Sequence, residues 1–161
     1  MKKSKNNKNL PPQQGVETQS LCNMVYPDHT EQLKLAENTI KEIELTLKNV
    51  LIGNTFKKPD GGDIHTTLYD DTIRVLLYVA DLSLPVFNLM NKIETKYYSR
   101  YPNDFKLARK LFLSEYETLH LPYDTLKNKC YTLLKDIDNL YITQTKKQPP
   151  NKKDCYRSCT E

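Results

Sequence analysis

The stretch LHLPYDTLKNKCYTLLKDIDNL, residues 119–140, decides the fold of this chain. Its apolar residues recur at alternating spacings of three and four, which places them on one stripe of an α-helix. They are Leu119, Tyr123, Leu126, Cys130, Leu133, Ile137 and Leu140. Because a loop would break this register, we expect a helix that bends at Pro122 and continues. The alternative is a helix that ends before Pro122 and a new one that Asp124 caps.

Glycine is absent from the whole region between Asp63 and Glu161, and the four glycines of the chain all precede it. Glycine is the usual residue for tight turns, strand bulges and backbone that closely approaches a phosphate. A region without it is typical of long helices and offers no phosphate-binding loop. The sequence therefore predicts an all-α protein.

A first helix is predicted upstream, where Asp28 and Glu31 have the spacing of a capping box. One apolar stripe follows, and Gly53 is expected to end the helix. The stripe comprises Leu33, Ala36, Ile40, Ile43, Leu47 and Val50. The next ten residues contain the turn sequence Pro59-Asp60-Gly61-Gly62 and are predicted to form a loop.

Two further helical stretches are predicted, at about 67–100 and 103–142, and each contains one interior proline. At Pro85 the helix either bends and continues, or ends near Leu82 so that Ser83 caps a new helix. The expected fold is a bundle of three long antiparallel helices, or up to five if the chain breaks at Pro85 and Pro122.

Charge divides the chain into a mildly acidic body and two basic ends. Residues 1–27 and 144–161 each carry a net charge of +3 and are rich in Lys, Asn, Gln and Pro, whereas residues 28–143 carry −2. Segments of that composition cannot bury enough apolar surface to offset their ordering entropy. We expect a disordered arm at 1–27, a helical bundle domain at 28–143 and a disordered tail at 144–161.

The second stretch has more apolar residues than one buried stripe needs, since thirteen of the eighteen residues 73–90 are apolar. Such a helix is central in its own domain, crosses a membrane, or keeps a face for a partner. A membrane span is not expected, because Arg74, Asp81, Pro85 and Asn88 interrupt a run already shorter than the ~20 residues required. The residues predicted to meet a partner are Leu77, Val79, Leu82, Val86 and Leu89.

Aromatic and basic residues alternate at the end of the second stretch, in Tyr97, Tyr98, Arg100 and Tyr101. Tyrosine and arginine are enriched in protein–protein hot spots, and the same pattern can stack on single-stranded nucleic acid. A third interpretation is a helix end with half-buried tyrosines whose hydroxyls reach water.

No catalytic constellation is recognisable in the sequence, and we expect no enzymatic activity, cofactor or metal. Glu117 and His120 have di-iron spacing, but a di-iron bundle needs a second such pair. The four cysteines, in a chain whose start has no secretory h-region, are expected to be reduced thiols in the cytoplasm or nucleus. The function expected is an adaptor or assembly subunit that docks a protein partner or a second copy. The alternative is a nucleic-acid-associated protein that uses the basic ends and the Tyr/Arg cluster.

Overall fold

The computed structural model describes residues 24–53 and 57–147, which form a helical bundle without a strand in those ranges. The helices are α1 (Thr30–Gly53), α2 (Ile64–Phe87), α3 (Met90–Arg100) and α4 (Phe105–Lys147). His65, near the start of α2, contacts Tyr141 near the end of α4. Lys96 in α3 pairs with Glu115 near the start of α4, so α2 and α3 together run opposite to α4. The predicted all-helical bundle is confirmed.

Short aspartate caps set where the helices begin. The Asp28 carboxylate accepts hydrogen bonds from the Thr30 amide and hydroxyl. Asp63 accepts from the His65 amide, and α2 consequently starts three residues before the predicted Thr67. Asp104 accepts from the Leu107 amide at the start of α4. Each carboxylate satisfies amides that lack a partner in the first helical turn.

The loop before α2 is the predicted proline–glycine turn. The Gly61 amide donates to the Lys58 carbonyl, which closes a four-residue turn with Pro59 as its second residue. Gly61 has a φ of +87°, a conformation that residues with a Cβ rarely adopt. This turn reverses the chain between α1 and α2.

The helix continues through Pro122 but ends shortly after Pro85. Pro122 lies inside α4, which has 43 residues, so the predicted continuation of the helix through Pro122 is confirmed; Asp124 pairs with His120 and Lys127 instead of capping a helix. Pro85 lies in the last turn of α2, and the assigned helix ends only at Phe87. Ser83 donates to the Ala80 carbonyl and caps nothing, so the predicted break near Leu82 is wrong.

A three-helix core occupies one half of the bundle. The predicted stripes of α1 and α4 are both buried there, except that Leu33 and Leu119 lie at its edge. The same core contains Leu68, Val75, Val79 and Val86 of α2. The α2–α4 packing is the most extensive between any two of these helices.

A second, smaller cluster lies where α1 does not reach. With 24 residues α1 is about 36 Å long, whereas the 43 residues of α4 extend about 64 Å. Leu89, Ile93 and Phe112 form this cluster between α3 and the first part of α4. Met24 also packs against it, so the bundle begins before the predicted boundary at residue 28.

The two predicted disordered ends fall almost entirely on residues 1–23 and 148–161, which lie outside the described residues. At the other boundary α4 continues to Lys147, beyond the predicted end of the domain at residue 143.

Replacing Ile40 with alanine is expected to lower the free energy of unfolding by about 2 to 5 kcal/mol, because this side chain is fully buried in the three-helix core. Ile52→Ala is the matched control, since Ile52 is an isoleucine of the same helix with 73% of its surface exposed. It should change stability by less than about 0.5 kcal/mol. Urea unfolding followed by circular dichroism measures both, and equal losses would contradict this core.

Candidate interaction surface

An apolar stripe on the outside of α2 remains uncovered by the rest of the bundle. Its members recur at spacings of four, three, four and three: Ile73, Leu77, Ala80, Leu84 and Phe87. We call them the α2 stripe. Leu77, Leu84 and Phe87 keep 59%, 56% and 53% of their surface exposed, while Ile73 and Ala80 are half-buried. The α2 stripe is about 21 Å long, since its ends are fourteen residues apart on one helix.

The other face of α2 belongs to the core, which corrects part of the predicted partner site. Val79, Val86 and Leu89 are buried, and Leu82 is half-buried against the three-helix core. The side chains of Val79, Val86 and Leu89 are therefore not available to a partner, and that of Leu82 is available only in part. Of the five apolar residues between Leu77 and Leu89 that were predicted to dock a partner, Leu77 is the exposed one.

Leu84 and Phe87 were not among the predicted partner residues, although both belong to an apolar stripe that is visible in the sequence. The apolar run of residues 73–90 contains two stripes, one through Val75, Val79 and Val86 and one through Leu77 and Leu84. Each has helical spacing, so periodicity alone does not say which stripe the bundle covers. The contacts with α1 and α4 decide it.

The predicted Tyr/Arg cluster is divided between internal contacts and surface. Tyr97 donates its hydroxyl to Glu115 Oε2 at 2.5 Å, and Lys96 Nζ lies 2.8 Å from the same oxygen. Tyr98 packs its ring on Phe105 with centroids 5.0 Å apart, and the guanidinium of Arg100 lies over the ring of Tyr101. The three tyrosines are half-buried, whereas Arg100 is exposed.

Glu115 organises the end of the bundle that α1 leaves uncovered. Besides Lys96 and Tyr97, it accepts a hydrogen bond from Tyr26, which precedes α1. Burial alone would raise the pKa of Glu115, but the bonds from Lys96, Tyr26 and Tyr97 together hold this pKa below its ordinary value. In turn, the hydrogen bond to Glu115 raises the pKa of Lys96. The ionised Lys96–Glu115 pair therefore ties α3 and the segment before α1 to α4.

Within the described residues no group of three or more His, Cys, Asp or Glu side chains is placed to hold a metal ion. His120 Nδ1 lies 2.7 Å from Asp124 Oδ2, on the next turn of α4, and Glu117 is exposed. Cys130 is a free thiol in the three-helix core, where burial raises its pKa to about 11. A thiol with that pKa is protonated at neutral pH and is a poor nucleophile.

The continuous segment Ile64–Arg100 is long and apolar enough to cross a membrane, judged by length and composition. Its most apolar 18-residue window has a mean hydropathy of 1.5, and 28% of that window is buried inside the bundle. The large apolar side chains of this segment that remain exposed lie mostly in the α2 stripe.

Comparison of the chain with protein-family models, with curated proteins and with solved structures found no match.

Replacing Glu115 with glutamine is expected to cost about 1 to 2 kcal/mol of stability at pH 7, because hydrogen bonds to a charged group are lost. Since the folded-state pKa of Glu115 is lowered, its contribution is complete above the unfolded value of about 4.3 and disappears as the pH falls through the lower folded value. The stability difference between wild type and Glu115→Gln should therefore shrink below about pH 4.

Glu117→Gln is the control for this experiment, because Glu117 is an exposed glutamate two residues away on the same helix. It should leave stability within about 0.5 kcal/mol of wild type at either pH. Urea titrations at pH 7 and below about pH 4 measure the stability of both variants. A stability difference for Glu115→Gln that does not change with pH would contradict the ionised pair.

Proposed function

We propose that this chain is a non-enzymatic protein–protein interaction module, an adaptor or assembly subunit that docks a partner through the α2 stripe. The observation that carries the proposal is the exposure of three large apolar side chains, Leu77, Leu84 and Phe87, in one line on one helix. Contiguous exposed apolar surface is typical of interaction sites in soluble proteins, whereas single exposed apolar residues need no explanation. Docking of an amphipathic helix on such a stripe is a common mode of recognition.

The polar surroundings of the stripe favour a protein partner over a membrane. A span would place Arg74 and Asp81 in hydrocarbon, at a cost of about 2.5 to 3.5 kcal/mol for each charge. A helix that lies on a membrane surface is usually rich in Lys and Arg. By contrast, α2 contains Asp70, Asp71 and Asp81 but only Arg74 as a basic residue.

The alternative function, association with nucleic acid through the basic ends and the Tyr/Arg cluster, has weaker support. Lys96 is paired with Glu115, and the ring of Tyr98 already packs on Phe105. Arg100 and Tyr101 keep accessible surface at the end of α3 and could add to such a contact. The proposed compartment is the cytoplasm or nucleus, because the cysteines of this chain are expected to be reduced thiols.

The test compares Leu77→Asp with Leu45→Asp in tagged full-length protein. Both leucines lie in helices and both are 59% exposed, but the residues one turn from Leu45 include Lys41, Glu42 and Lys48, and it belongs to no stripe. Both variants should keep the wild-type circular dichroism spectrum, because the substituted side chains face water. Only Leu77→Asp should lose a stoichiometric protein partner, captured in nuclease-treated extract at about 0.5 M salt, where lysine–phosphate contacts are weak.

Retention of the partner by Leu77→Asp would overturn the proposal. Capture that occurs only at low salt, and that nuclease removes, would favour the nucleic-acid alternative instead.

A further inference from the structure

We infer that the occupant of the α2 stripe is a second copy of this chain, whose α2 packs antiparallel to the first in a two-fold symmetric dimer. The inference rests on the proposed function and identifies the partner at the same surface. Two features of α2 carry it: the period of the stripe and the charges along one of its edges.

The spacing of the α2 stripe, over two heptads, permits packing against a second helix along a seam. Alternating spacings of four and three average 3.5 residues, the repeat at which two helices can pack side chains into one another along a common seam. In that repeat the stripe residues take the two core positions of each heptad.

The charges lie on a single edge of the seam and are self-complementary. Arg74 and Asp81 each follow a stripe residue directly, Ile73 and Ala80, and are seven residues apart on the same edge. Both are exposed. The nearest acid to Arg74 is Asp71, at 3.8 Å, and the Arg74 side chain keeps 80% of its surface exposed. Its guanidinium is thus accessible to a carboxylate from another molecule.

Symmetry decides the direction of the second helix. In an antiparallel pair the two-fold axis is perpendicular to the helices, and each edge of the seam meets the same edge of its partner. Arg74 of one copy then faces Asp81 of the other, and the pair is formed twice. In a parallel pair each edge meets the opposite edge, which holds Leu76 and Ser83, and no ion pair can form.

The side-chain volumes also suit the antiparallel register. With the axis between residues 78 and 79, Leu77 lies opposite Ala80 of the partner, and Leu84 lies opposite the partner's Ile73. The four central layers therefore pair a leucine with an alanine twice and a leucine with an isoleucine twice, whereas Phe87 lies opposite Asp70 of the partner at the end of the seam. Complementary charges beside such a seam set the partner and its orientation more than they add affinity.

The experiment is sedimentation equilibrium of the full chain over about 5 to 200 µM, a range suited to micromolar dissociation constants. Wild type is expected to be a dimer at the upper end, and Leu84→Asp a monomer, because the new carboxylate would lie in the seam. Leu45→Asp, the same change at an equally exposed leucine of α1 outside its buried stripe, should dimerise like wild type. Circular dichroism spectra establish that each variant is folded.

Charge reversal tests the direction of the helices. Arg74→Asp and Asp81→Arg should each weaken dimerisation about tenfold or more, because each places like charges opposite one another. The double variant, with both changes, restores opposite charges and should regain the wild-type dissociation constant. Failure of the double variant to regain it would overturn the antiparallel arrangement.

Self-association and partner docking can fail separately. A chain that stays monomeric at every concentration, yet loses a different protein when Leu77 becomes Asp, would overturn the dimer and leave the interaction module in place. A monomer whose captured proteins are unaffected by Leu77→Asp would overturn both.

Discussion

The long helix α4 carries both hydrophobic clusters of the molecule, because its apolar stripe keeps one helical phase through Pro122. Proline removes an amide donor and crowds the carbonyl four residues earlier, a cost of about 3 kcal/mol in a helix interior. The helix continues because the residues on both sides of Pro122 bury the same face; Leu119 and Tyr123 flank it on that face. Burial at many positions outweighs one unfavourable one.

Because α4 is much longer than α1, α1 cannot cover the first part of α4. On the N-terminal side of α1, the described part of the bundle consists of two helices, α3 and the first part of α4. A pair of helices leaves apolar surface exposed on both sides. The segment before α1 supplies part of the missing cover, with Met24 on the second cluster and Tyr26 on Glu115. The Lys96–Glu115 pair also joins α3 to α4 in this part of the bundle. The cluster there has three buried members, Leu89, Ile93 and Phe112.

Periodicity predicted the buried stripes of α1 and α4 residue by residue, because in each helix one run of apolar residues keeps an unbroken three–four spacing while the other apolar residues are scattered. It also predicted the turn at Pro59–Gly62. The same reasoning did not resolve α2, where two apolar stripes compete and only the positions of α1 and α4 decide which is covered. At Pro85 the sequence left two alternatives open: the proline lies in the last turn of α2, and Asn88 and Leu89 keep right-handed helical backbone angles between α2 and α3. Contacts over long sequence distances, such as Tyr26 with Glu115, leave no local pattern.

The positions of Arg74 and Asp81 on α2 have a different implication from their positions in the linear sequence. In the linear sequence they interrupt an apolar run, which argues against a membrane span. On the helix they share one edge of the α2 stripe and leave both apolar faces intact. The exposed seam and the self-complementary edge together support the proposed antiparallel pairing of α2 with a second copy of the chain.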